Sequence, residues 1–142
     1  MKVLVDTREK NPWRFENSEL TTLKTGDYTL KGYESKFVIE RKGCLEEFAS
    51  NIIQPRFFKE LQRLEDFTHP FLILEFNMSD IMDFPASTAI PKHLWPSLKI
   101  TPQFILRTFL EIQTSFKVRP ILAGVYGKDT ALSLFKRILC AN

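Results

Sequence analysis

The 142-residue chain carries only two cysteines, Cys44 and Cys140, and two histidines, His69 and His93. The cysteines lie far apart and make no paired metal-binding spacing. No disulfide framework and no cysteine zinc site is implied, and both read as reduced thiols of an intracellular protein. The histidines are too isolated to be metal ligands. Long apolar runs are missing as well, since none approaches the roughly 20 residues of a membrane helix. The opening MKVLVDTRE has a short apolar run and then charge, which suits a first strand and not a signal peptide. Charge of one sign is also scarce. Twenty basic residues against 17 acidic ones leave +3, which permits nucleic-acid binding if the basic residues cluster and does not demand it. There is no repeat, low-complexity tract or linker, and the length suits one domain spanning residues 1–142.

What is there is ordinary for a globular chain, with 44% hydrophobic and 26% charged residues. Thirteen phenylalanines against 3 tyrosines call for a well-formed core. The apolar run Val3 to Asp6 reads as a buried strand ending in charge. A loop follows over Lys10 to Ser18, then a strand over Leu20 to Lys24. Gly26-Asp27 marks a turn into a strand over Tyr28 to Leu30, and Lys36 to Arg41 returns to make a hairpin. Leu45 to Ile53 and Arg56 to Phe67 read as helices, with Pro55 suited to the start of the second. Phe71 to Phe76 reads as a central strand buried on both faces. Asn77 to Thr101 is irregular. A helix from Pro102 to about Phe116, a strand from Arg119 to Val125 and a helix from Lys128 to Leu139 complete the chain. That order makes an α/β sheet with helices packed over it.

Chemistry concentrates at two places, Gly26-Asp27 and Glu40-Arg41-Lys42. Residues two apart in a strand share a face, so Glu40 and Lys42 project together, and a hairpin can bring Asp27 beside Glu40. Two carboxylates with open water positions suit Mg²⁺, a hard ion that takes oxygen ligands. A lysine beside them can orient water or offset charge developing on a phosphate. The skeleton alone arises often by chance, and Glu34-Ser35-Lys36 has the same spacing. Glu34 lies in a turn, however, whereas Glu40 and Lys42 follow the buried run Phe37-Val38-Ile39. On position alone, a strand simply emerging into water is about as good a reading.

Together, Val5-Asp6-Thr7-Arg8-Glu9, Gly26-Asp27-Tyr28 and Val38-Ile39-Glu40-Arg41-Lys42 resemble the nuclease domain of the XPF family of structure-specific endonucleases. That family belongs to the restriction-endonuclease-like PD-(D/E)XK superfamily. Asn51-Ile52 and Arg56-Phe57 also look like the family's stretch ending in an arginine. The resemblance implies a restriction-endonuclease-like mixed central sheet flanked by helices. It implies an Mg²⁺- or Mn²⁺-dependent endonuclease acting on branched or flap DNA in repair or recombination, paired as a homodimer or heterodimer through the nuclease domain. Carried over, Asp27 and Glu40 would bind metal and Lys42 would be the catalytic lysine. Asp6, Arg8 and Arg41 would line the site, with Arg8 gripping phosphate. The alternative for Asp6 and Arg8 is a surface ion pair. The family's acidic residue four positions after the lysine falls on Glu46, with Glu47 an equal candidate. The helix-hairpin-helix and helicase domains attached in relatives are expected to be absent. A Holliday-junction resolvase, a restriction-type nuclease and a catalytically silent DNA-binding subunit are the rival functions; the retained Asp27, Glu40 and Lys42 count against the last.

Outside the signature, Arg56, Lys59 and Arg63 share a helical stripe that could follow a DNA backbone or simply face solvent with Glu60. Lys92-His93-Leu94-Trp95 suits either stacking on an unpaired nucleotide or packing of the loop onto the core. The helix from Pro102 is apolar over more than one stripe, as a core helix or a dimer surface would be.

Overall fold

The computed structural model describes residues 1–141. Six strands form one mixed sheet: β1 (Val3–Asp6), β2 (Ser18–Thr21), β3 (Tyr28–Leu30), β4 (Phe37–Lys42), β5 (His69–Leu74) and β6 (Arg119–Leu122), in the order β2-β1-β3-β4-β5-β6. Strand β3 runs antiparallel to both β1 and β4, as the hairpin reading requires, while β1 and β2 pair parallel and β4, β5 and β6 are mutually parallel. The helices are α1 (Leu45–Asn51), α2 (Pro55–Leu64), α3 (Met78–Met82), α4 (Pro102–Ser115) and α5 (Gly127–Cys140). This is the expected α/β architecture with a mixed central sheet flanked by helices.

The alternation of side chains along β4 divides the molecule. Val38 joins the core under α1 to α4, with Phe48, Phe57, Leu61 and Ile105. Phe37 and Ile39 join the core under α5, with Tyr28, Ile73 and Phe135. Both layers are therefore dry, and β4 and β5 are buried on both faces, as continuous apolar runs require. The same alternation carries past the apolar run. It sends Glu40 and Lys42 toward α1 and α2, and Arg41 toward α5.

Three elements depart from the sequence reading. The second strand is Ser18–Thr21 instead of Leu20 to Lys24, and it pairs parallel with β1 from Val3↔Ser18 to Asp6↔Thr21. It is an exposed edge strand, so it lacks the period of a half-buried one. The last strand stops at Leu122 because Gly124 adopts a φ of +57° and the chain closes a 3-10 turn over Gly124–Tyr126. The irregular stretch contains α3, where the Asn77 amide donates to the Asp80 carboxylate at 2.8 Å. It also contains a 3-10 turn over Lys92–Ser97. There the Trp95 indole donates to the Ile90 carbonyl at 3.0 Å, which packs the loop on itself. No described helix is long and apolar enough to cross a membrane.

Candidate active site

The β3–β4 hairpin sets the two signature acids against each other. Tyr28 pairs with Ile39, and the same antiparallel register puts Asp27 opposite Glu40. The Asp27 amide donates to the Ile39 carbonyl at 2.8 Å. Gly26 makes the approach possible, because it holds a φ of +87° and a Cβ there would run into Val38 Cγ2. The Arg41 amide then donates to Asp27 Oδ2 at 2.8 Å, which fixes the carboxylate toward Glu40.

Both acids are held above their ordinary range. Burial pushes Asp27 up to about 6, against the pull of the Arg41 amide. Burial, and next the charge of Asp27, drive Glu40 well up, against the pull of Lys42. Lys42 is itself buried, with its Nζ 3.9 Å from Glu40 Oε1. Two carboxylates forced together with a single nearby ammonium make a site that a divalent cation would relieve. The donor set is all oxygen, which suits a hard ion that keeps several waters. Among the described residues, no group of three or more histidine, cysteine, aspartate or glutamate side chains converges to hold a metal. The carboxylates brought together are those of Asp27 and Glu40. Glu47, but not Glu46, lines the cleft of about 380 Å³ that opens over them.

Asp6 and Arg8 reach the same side from β1. Asp6 is 3% exposed and is saturated: Arg8 Nε donates to Oδ2 at 2.9 Å, and the Leu23 amide donates to Oδ1 at 2.8 Å. Burial pushes Asp6 up, but the Arg8 side chain and the Leu23 and Arg8 amides outweigh it and hold the carboxyl below its ordinary value. Asp6 thus has no lone pair to spare for a cation. It holds Arg8, which also donates to the Leu23 carbonyl at 2.6 Å. Arg8 Nη1 makes no hydrogen bond among the described residues, and Arg8 lines the cleft.

Arg41 points through the sheet to the α5 side. Its Nε donates to Glu75 Oε1 at 2.5 Å, and its Nη1 donates to the Asn11 carbonyl at 2.6 Å. The guanidinium carbon lies 4.5 Å from the Trp13 ring centroid, and Trp13 stacks on Tyr28 at 4.7 Å. The loop after β1 is thereby tied beneath the site.

Arg56 and Arg63 of α2 line a groove that continues from Lys42. Lys59 is exposed but is not among the side chains lining it. Neither arginine forms an ion pair among the described residues. Three further residues contribute beyond those the sequence assigns to the site. Glu60 lies between the two arginines and adds to the rise of Glu40. Asn51 lines both openings and buries an Oδ1 with no hydrogen-bond donor. Glu75 lies far from the signature in sequence. Glu60 left a signal in its place on the Arg56–Arg63 stripe, and Asn51 left one in the Asn51-Ile52 stretch; Glu75 left none.

A model of the ERCC4 domain matches residues 5–122. The chain is 40% identical over 79 residues to a protein of Methanocaldococcus jannaschii described as an ATP-dependent RNA helicase, covering 53% of this chain and 10% of that protein. Its fold superposes on XPF from Aeropyrum pernix with a TM-score of 0.67 at 18% identity, over 97% of this chain and 61% of that one. For XPF from the same organism in complex with DNA, the TM-score is 0.64 at 18% identity, over 99% of this chain and 65% of that one. The chain thus spans a tenth of the curated relative's length and under two thirds of the solved ones.

Proposed function

Because the chain belongs to the ERCC4 domain family, we propose that it is a metal-dependent DNA endonuclease that hydrolyses phosphodiester bonds at branched or flap DNA. The observation that carries this reading is the Asp27–Glu40 pair, pressed together beside a buried Lys42 at the floor of an open cleft. Asp27 and Glu40 would hold Mg²⁺ or Mn²⁺. When bound, such an ion supplies Lewis-acid polarisation of the phosphate and a more acidic water.

The chain's own groups do the rest. The Arg41 amide keeps the Asp27 carboxylate aimed at Glu40. Lys42 offers an ammonium to the phosphate oxygens as charge grows there. Arg8, locked by Asp6, presents its outer edge to a neighbouring phosphate. Arg56 and Arg63 hold the flanking backbone, contributing affinity and register without reading sequence. Glu47, which lines the cleft, would accept from a water bound to the ion. The protein would act inside the cell. Exposed Leu110 on α4 and Val125 beyond β6 offer apolar area for pairing with a second copy or a homologous chain.

The test is cleavage of labelled duplex, flap, splayed-arm and four-way-junction DNA with Mg²⁺, Mn²⁺ or EDTA. Metal-dependent cutting that favours the branched forms supports the reading. Paired symmetric nicks on the junction point to a resolvase. Binding without cutting under any metal overturns the catalytic assignment in favour of a silent subunit.

A further inference from the structure

On the side of the cleft away from Arg56 and Arg63, a second groove begins. It adjoins the catalytic cleft, with Lys10 and Asn11 lining both openings. A cavity of about 720 Å³ runs between the loop after β1 and the edge strand β2, past Arg14, Phe15 and the 68%-exposed Leu20. Sharing Arg14 and Phe15, it passes into a further cavity of about 500 Å³ against α5, where Lys128, Leu132 and Lys136 line it.

Two features fix what this groove suits. Its cations are uncommitted: Lys10, Arg14, Lys128 and Lys136 are all exposed, and among the described residues none pairs with a carboxylate. One acid, Glu16, lines its outer part. Between the cations lie apolar side chains, and Lys128 Nζ sits 5.8 Å from the Phe15 ring centroid. A duplex offers phosphates, sugars and base edges to such a wall, because the faces of its bases are stacked inside. An unpaired strand offers phosphates to the cations and exposed bases to the apolar surface.

We propose that this groove carries an unpaired DNA strand away from the cleft, with Lys10, Arg14, Lys128 and Lys136 on its phosphates and Phe15 and Leu20 against its bases. The assignment rests on the nuclease reading above for the position of the scissile phosphate, and it names the part of a branched substrate that each side takes. Arg56 and Arg63 hold one arm, and this groove holds the single-stranded one.

The experiment is fluorescence anisotropy in EDTA, where cutting is suppressed, with a blunt duplex and the same duplex bearing an unpaired arm. The variant is Arg14→Ala/Lys128→Ala/Lys136→Ala, whose replaced side chains are all exposed and far from Asp27 in the chain. The expected result is roughly tenfold weaker binding of the armed DNA, with the blunt duplex within about twofold. A photoreactive base placed in the arm should crosslink to the loop carrying Phe15. Equal weakening of both DNAs overturns the proposal, as does no weakening, the outcome if the groove takes an acidic peptide instead. The two readings fail separately. A wild type that binds the arm selectively but never cuts with metal keeps the groove and loses the nuclease. One that cuts but shows no arm-dependent affinity does the reverse.

Discussion

Arg41 holds Asp27 from the opposite face of the sheet: its amide donates to Asp27 Oδ2 at 2.8 Å, while its guanidinium is clamped by Glu75 and stacked near Trp13. One residue thus ties an acid of the site to a network on the far layer. Replacing Arg41 with Ala leaves the half-buried Glu75 and Glu9 without their counter-charge, a change expected to cost ~1–3 kcal/mol, read by urea unfolding. Glu75→Gln is milder. It should lower kcat about tenfold through misplacement of Asp27, with KM nearly unchanged; a change confined to KM would contradict the clamp.

Gly26 gives a second test of the geometry. Gly26→Ala forces a side chain into a left-handed backbone and against Val38. Strain and overpacking together should cost ~2–4 kcal/mol, measured by thermal unfolding. Cleavage should fall further than stability alone explains, because Asp27 moves with the turn.

The raised acids predict the pH behaviour. Protons bind Asp27 more tightly in the folded than in the unfolded state, with the folded value about 6 against an ordinary 3.8. Their contribution to the stability of the metal-free protein is therefore full below the ordinary value and is lost as pH rises through about 6. Glu40, driven up in the same direction, adds a loss of the same sign. Asp6, held down, acts oppositely: its contribution is present above its ordinary value and disappears on acidification below it. A cation held by Asp27 and Glu40, as proposed, would displace their protons, so Mg²⁺ affinity should climb as pH rises through about 6. Calorimetric titration at several pH values checks this, and a flat profile would contradict it.

On α2, Arg56→Ala and Arg63→Ala should each weaken DNA binding and reduce the slope of log affinity against log salt by about 1. Lys59→Ala should do less, since Lys59 does not line the groove. Glu60→Gln should strengthen DNA binding a few-fold by removing like-charge repulsion of phosphate. Anisotropy over a salt series separates these outcomes.

Much of this was legible in the chain. The apolar runs at Val3 and Phe37 located central strands, and the turn at Gly26 with the strand end at Glu40 located the carboxylate pair. What stayed hidden depends on contacts between distant segments. Ser18–Thr21 lies exposed at the sheet edge, so its parallel pairing with β1 left no period to read. Glu75 and Trp13 converge on Arg41 only because strand alternation sends that side chain through the sheet. Glu60 passed for a solvated partner of its arginines, yet it acts on Glu40 instead. The break after Leu122 turns on Gly124, whose backbone shows itself only in three dimensions.

The most direct measurement is the single-turnover cleavage rate of Glu40→Gln on flap DNA with saturating Mg²⁺, beside its DNA affinity in EDTA. The expected rate is at least about a hundredfold below wild type, with affinity within about twofold. A variant that cuts at the wild-type rate would contradict the assignment of Asp27 and Glu40 as the catalytic pair.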